Sequence, residues 1–237
     1  MQKNKIHILS TKPLGKEIVN IAAQNDIIID EIPFIKTEEI ISKEIKEKIK
    51  KLAHQNITVV FTSRNAVEAV RKFISTKPSW RIFCIGNTTE SIVASVFGEE
   101  NIIGTAFDGN KLSEKIIEKK SIKKIVFFCG DQRRYELPAN LKKNGIEVEE
   151  MVVYETLKTP VTLTNNYDGI LFFSPGAVQS FFSVNSINNS TQIFAIGNTT
   201  ANEIKYFTKQ PVIISEVPDK KKLLNLAIEY LSKSKIV

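Results

Sequence analysis

The sequence predicts an α/β protein built of two doubly wound domains, each a parallel sheet flanked by helices. Two observations carry this expectation. Strand-like and helix-like runs alternate along the whole chain, and its second half repeats its first. The repeat is plainest in IFCIGNTTE (82–90) and IFAIGNTTA (193–201), which lie 111 positions apart. The same shift, without a gap, lays Phe61, Ser63, Ala66 and Val67 on Phe172, Ser174, Ala177 and Val178. It also lays Ile102, Ile103, Asp108 and Leu112 on Ile213, Ile214, Asp219 and Leu223. The N-terminal part follows a weaker shift of 119, which matches Ile6 to Ile125, Phe34 to Val153, Ile35 to Tyr154 and Thr37 to Thr156. The order is therefore X-Y-X′-Y′, with five strands expected per half.

Taken in order, KIHIL (5–9) reads as the first strand and PLGKEIVNIAAQN (13–25) as a helix. IIIDEIPFI (27–35) reads as one extended run. EEIISKEIKEKIKKLAH (38–54) is an amphipathic helix, with Ile41, Ile45, Ile49 and Leu52 at helical spacing. ITVVFT, the helix RNAVEAVRKFI, RIFCI and NII complete the first copy of Y. KIVFFC and IEVEEMVVYET then form X′, and LKTPVTLTNNYD (157–168) is linker plus turn where the first copy has its long helix. DGILFFS, QIFAI, the helix NTTANEIKYF and PVII end the series.

A 42% hydrophobic fraction among 237 residues is enough for packed cores, and the net charge of +7 favours an acidic ligand. The lysines spread along helix faces rather than forming a stripe interleaved with aromatics, so no nucleic-acid partner is expected. No apolar stretch reaches the roughly 18–20 residues of a membrane span, and MQKNKIHILS lacks the core of a signal peptide. Cys84 and Cys129 sit in apolar runs and read as buried thiols of a reducing compartment, giving a cytoplasmic protein with no membrane partner. His7 and His54 have no metal-ligand spacing, so no metal site is expected. His7 itself reads as a core or strand-edge residue.

In doubly wound sheets ligands bind beyond the carboxyl ends of the strands. The turns there are LSTKP (9–13), FTSRNA (61–66), CIGNTT (84–89), FCGDQRR (128–134), FFSPGA (172–177) and AIGNTT (195–200). Ser63, Asn87, Ser174 and Asn198 stand where helix N-caps belong, as do Asp108 and Asp219. Capping explains one such residue per turn. GNTT, however, offers three polar side chains after a glycine, in both copies, and Gly86 and Gly197 would let a ligand approach the backbone. Helix N-termini of this kind suit carboxylates or phosphates.

These residues resemble the uroporphyrinogen-III synthase family. The segments that carry the resemblance are VVFTSRNAV (59–67), FCIGNTT (83–89), CGDQRRYELPANLKKNGIEVEEMVVYET (129–156), ILFFSPGAV (170–178) and FAIGNTTANEI (194–204). The run G-x-x-x-R-x-x-L, then G-x-x-V, then V-Y-x-T is the most specific of them. The resemblance implies two Rossmann-like lobes joined by a two-stranded linker, with a site in the cleft between them. A plain duplication suggests a cut near residue 120. The family implies one lobe from residues 1–35 plus 158–237 and another from 37–155.

It further implies closure of hydroxymethylbilane, a linear tetrapyrrole with eight carboxylates, to uroporphyrinogen III. Water is lost and the terminal ring is inverted through a spiro intermediate, by a cofactor-free monomer. Tyr154 matches a tyrosine proposed to help the terminal hydroxyl leave. The implied substrate-binding set is Ser10, Lys12, Thr62, Ser63, Asn65, Gly86, Thr88, Thr89, Arg134, Ser174, Gly176, Gly197, Thr199 and Thr200. Lys12 stands where the family often has arginine, a single ammonium in place of a bidentate fork. The competing reading is a non-catalytic two-lobed binding protein for a small polyanion, which needs the same turns but not Tyr154.

Overall fold

The computed structural model describes residues 5–234. The chain divides into two compact units, a split unit of residues 1–36 and 157–237 and a central unit of residues 37–156.

The sheet of the split unit contains β1 (Ile6–Ser10), β2 (Ile27–Glu31), β9 (Gly169–Phe172), β10 (Gln192–Ala195) and β11 (Val212–Ile214). The central unit contains β3 (Ile35–Glu39), β4 (Thr58–Phe61), β5 (Arg81–Ile85), β6 (Ile102–Ala106), β7 (Lys124–Gly130) and β8 (Glu147–Lys158). The orders are β11-β10-β9-β1-β2 and β3-β8-β7-β4-β5-β6. Pairing is parallel between β1 and its neighbours β2 and β9, and between β4 and its neighbours β5 and β7. Counted from β4, the central strands lie in the order 3-2-1-4-5, with β3 added at the edge beside β8. Counted from β9, the split unit has the same order, with β1 and β2 filling the fourth and fifth places. The strand order of each sheet thus reverses once, between β4 and β7 and between β9 and β1. Such switch points are where doubly wound sheets open a crevice.

Helices α1 (Lys16–Ala23), α7 (Pro175–Phe182), α8 (Asn198–Ile204) and α9 (Lys220–Ser234) cover the split sheet. Helices α2 (Lys43–Ala53), α3 (Arg64–Arg71), α4 (Thr88–Phe97), α5 (Gly109–Glu118) and α6 (Glu136–Lys143) cover the central one. Alternate residues of a central strand feed opposite faces, as period-two geometry requires. Val59 and Phe61 pack with Val67, Trp80 and Phe97, whereas Val60 packs with Leu112, Phe127 and Leu141. Trp80 is buried, and its indole N–H donates to Leu52 O at 2.8 Å, so its one polar atom is satisfied.

Several boundaries differ from the sequence reading. IIIDEIPFI is two strands, because Pro33 has no N–H to offer a ladder and the chain breaks at Ile32-Pro33-Phe34. The central sheet therefore has six strands rather than five. The helix expected from residue 38 begins at Lys43, since Glu38 and Glu39 complete β3 and the Ser42 hydroxyl caps α2 by accepting from Ile45 N. Asn198 is not a cap: it opens α8, and Gly197 precedes the helix. Asn87 precedes α4 but makes no capping bond with its side chain, its backbone being turned to φ +63°. Ser63, Ser174, Asp108 and Asp219 do accept from helix N–H groups. His7 lies on β1, between β2 and β9, and so is not at an edge. Its amide donates to Asp168.

Candidate functional site

In the central unit, the carboxyl ends of the strands around the switch point open into a cavity of about 520 Å³. The turn after β4 brings Thr62 and Ser63, the end of β7 brings Gly130, and the following loop brings Gln132, Arg133 and Arg134. Phe107 and Asp108 come from the turn between β6 and α5, Asn110 from the first turn of α5, and Tyr154 from β8. Ile85, Phe127 and Leu137 supply an apolar side. The cap of α3 and the first turns of α5 and α6 border this space, and helix N-termini carry partial positive charge.

Tyr154 is set there by two local features. β7 and β8 pair in register to Cys129↔Val152, after which Gly130 pairs with Tyr154. Val153 is the extra residue of a bulge, a device that redirects the side chains beyond it. Strict alternation would return Tyr154 to the face of Val152. The bulge instead keeps it on the side of Val153, packed against the cluster of Phe61 and Phe128. The second feature is the glycine opposite. A Cβ at Gly130 would stand 2.4 Å from the Tyr154 ring and 2.7 Å from its hydroxyl oxygen, so only glycine leaves room for the ring.

The Tyr154 hydroxyl donates to Ser63 Oγ at 3.0 Å. Ser63 Oγ also accepts from Asn65 N at 3.1 Å, which caps α3. With both lone pairs engaged, the hydroxyl of Ser63 keeps its own proton to donate. Burial pushes the Tyr154 phenol above its ordinary value, against the opposing effect of the Ser63 bond. The group is therefore a neutral donor at pH 7.

The adjacent arginines have different employment. Arg133 pairs with Glu150, which Lys142 also reaches at 2.8 Å, and its guanidinium lies 5.2 Å from the Tyr135 ring centre. Burial raises the Glu150 carboxyl, but Lys142 and Arg133 outweigh it and hold the group below its ordinary value. Arg134 is exposed and has no carboxylate partner among the described residues. It is the cation available to an incoming anion.

Of the expected residues, the cavity gathers Thr62, Ser63, Arg134 and Tyr154. Asn65 serves through its amide as the capped donor. Gly86 donates its N–H to Ala106 O, Thr88 is exposed and Thr89 is buried in α4. In the split unit Ser10 is fully buried and donates to Lys12 O at 2.6 Å, so its hydroxyl serves the turn, while the Lys12 side chain is exposed. Ser174 caps α7, and Gly176 is half-buried in its first turn. Gly197 is extended with open space around it, Thr199 is exposed and Thr200 is buried. The second threonine of each GNTT thus belongs to its helix, and the first faces solvent. Among the described residues no cluster of three or more His, Cys, Asp or Glu is placed to hold a metal ion. No helix among them is long and apolar enough to cross a membrane.

Gly130 and Gln132 lie in the FCGDQRR turn to which the sequence points but are not singled out there, Phe107 and Asn110 carry no signal in it, and Asp108 reads only as a cap. Gly130 was legible as the first residue of G-x-x-x-R-x-x-L. The loop after β6 carries no motif.

Residues 16–225 match the family model described as Uroporphyrinogen-III synthase HemD. The chain belongs to the uroporphyrinogen-III synthase family. Membership carries the family's activity, that of a cofactor-independent hydro-lyase of tetrapyrrole biosynthesis. Two crystal structures of uroporphyrinogen-III synthases share the fold. The enzyme of Helicobacter pylori is 16% identical, with 95% of this chain and 99% of that chain covered and a TM-score of 0.68. A triple methionine mutant of the Thermus thermophilus enzyme is 14% identical, with 96% and 99% covered and a TM-score of 0.64. The two parallel-sheet domains are thus the family's architecture on a distant sequence.

Proposed function

We propose that the protein closes hydroxymethylbilane to uroporphyrinogen III with the central cavity around Tyr154 and Ser63. The observation that carries this reading is the pair itself: a protonated phenol bonded to a serine whose own proton remains to be given. Breaking the bond between the hydroxymethyl carbon and its oxygen leaves a hydroxide equivalent, which must depart as water. Ser63 donates to that oxygen, and Tyr154 donates to Ser63 in turn, so the departing oxygen never carries full charge. The proton lost from the ring carbon at which closure occurs restores the balance.

The eight carboxylates of the bilane need donors rather than a cofactor. Arg134, the Ser63 cap of α3 and the first turns of α5 and α6 offer them at the cavity. Asp108 lies there too, but its carboxylate is engaged by Lys111 N at 2.8 Å. In α4, Asn87 supplies no side-chain cap, so backbone N–H groups of the first GNTT turn remain for a carboxylate. The protein acts as a monomer, and its two free buried thiols suit a reducing cytoplasm.

Hydroxymethylbilane also closes unaided, to the type I isomer. The test supplies it to the purified protein and resolves the products by isomer. Type III is expected, and type I alone would end the reading. Binding of the bilane without turnover, unaffected by Tyr154→Phe, would mark a binding protein instead.

A further inference from the structure

Phe107 stands between β6 and Asp108, the residue that caps α5. Its side chain is 87% exposed, more than any other exposed large hydrophobic among the described residues. It nevertheless borders the cavity that holds Tyr154 and Ser63. A phenylalanine in water contributes nothing to folding that a polar residue would not.

The repeat supplies a control. Its counterpart, 111 positions on, is Pro218. There Lys222 N donates to Asp219 at 2.9 Å, as Lys111 N donates to Asp108 at 2.8 Å. The turn is therefore built equally well without an aromatic ring.

We propose that Phe107 is a positioning residue, the flat wall against which one pyrrole ring of the linear tetrapyrrole rests. The inference takes the bilane as substrate, as argued above, and adds the contact that orients it. Arg134 and the helix N-termini can hold carboxylates, but a carboxylate is tethered to its ring through rotatable bonds. Such contacts fix where a ring is and leave its tilt free. Choice between direct and inverted closure depends on that tilt. An exposed aromatic face beside the anion donors removes the freedom, because a pyrrole stacks on it offset or edge-on. The other apolar members cannot do this. Phe127 is 1% exposed and Leu137 2%, so both are committed to the core, and the half-buried Ile85 is aliphatic and offers no flat face.

The test compares wild type, Phe107→Ser and Phe107→Tyr by KM, kcat and product isomer. Phe107→Ser is expected to raise KM roughly five- to twentyfold, the equivalent of one lost stacked and buried ring. The share of type I among its products should rise as well, since the tilt that favours inverted closure is no longer held. Phe107→Tyr, which keeps the ring, should restore wild-type KM. All three should melt at the same temperature. An unchanged KM in Phe107→Ser, a loss confined to kcat, or a tyrosine variant as poor as serine overturns the proposal. A wild-type protein that forms only type I defeats the synthase reading itself, and that result is seen before any variant is made.

Discussion

Tyr154 and Ser63, 91 positions apart, are joined by a 3.0 Å hydrogen bond from the phenol to the serine oxygen. The bond links the later part of β8 to the cap of α3, so the candidate donor and the helix start are fixed together. Tyr154→Phe should slow type III formation roughly tenfold, less than the roughly hundredfold or more of a direct general acid, because the phenol donates through Ser63. Its stability cost is only about 1 kcal/mol, one hydrogen bond. Initial rates beside a thermal melt separate the two. An unchanged rate would remove the phenol from the chemistry.

Gly130→Ala should reproduce that defect without touching the phenol. The new methyl would lie 2.4 Å from the ring, so ring or strand must move. Overpacking of this kind costs about 1–3 kcal/mol. Because both changes disable one constellation, the double variant with Tyr154→Phe should be scarcely slower than either single one. Fully multiplicative losses would show that Gly130 acts elsewhere.

The neighbouring arginines should fail differently. Arg134→Ala is expected to raise KM with the melting temperature unchanged, because no carboxylate among the described residues depends on it. Arg133→Ala leaves Glu150 with Lys142 alone and should cost stability, about 1–3 kcal/mol for a half-buried charge-assisted bond. Identical behaviour of the two variants would contradict the assignment.

The pH dependence of Tyr154 has a definite sign. Its folded value is raised by burial, above the ordinary value of 10.0. Its contribution to stability is complete below that ordinary value and is lost as pH rises through the folded one. Activity limited by this proton should therefore persist to pH 10 and fall only beyond it. A fall centred between pH 8 and 9, absent from Tyr154→Phe, would refute the burial.

Burial also pushes the thiols of Cys84 and Cys129 up to about 12. Neither should react with an alkylating reagent at pH 8 in the native protein, and both should react once it is unfolded. Labelling of the folded chain, counted by mass, would show local opening of β5 or β7.

The duplicated GNTT and the alternation of elements made two parallel sheets legible before any coordinates, because periodicity and repetition are local properties of the chain. What escaped were the effects of single residues on their neighbours across a sheet. Pro33 divided a run that composition alone left whole, and Ser42 stopped a helical pattern from extending to residue 38. The bulge at Val153 is a matter of register between two strands, and neither strand announces it. Gly130 was visible as part of a motif, but its use, to make room for a ring 24 positions later, exists only once β7 and β8 are paired.

The shared strand order, entered at a different point in each sheet, has a consequence for the nascent chain. Thr11, just beyond β1, donates its hydroxyl to Leu171 O, 160 positions onward. At ribosomal speed that interval is on the order of ten seconds. During it β1 and β2 have no central partner, while the central unit can complete itself from contiguous chain. The apolar edge formed by Ile6, Ile8 and Leu9 is then the segment most in need of a chaperone. A rearranged gene starting at Lys158 and running through Val237 into Met1 would deliver all five strands of that sheet in succession, and with them a shorter wait.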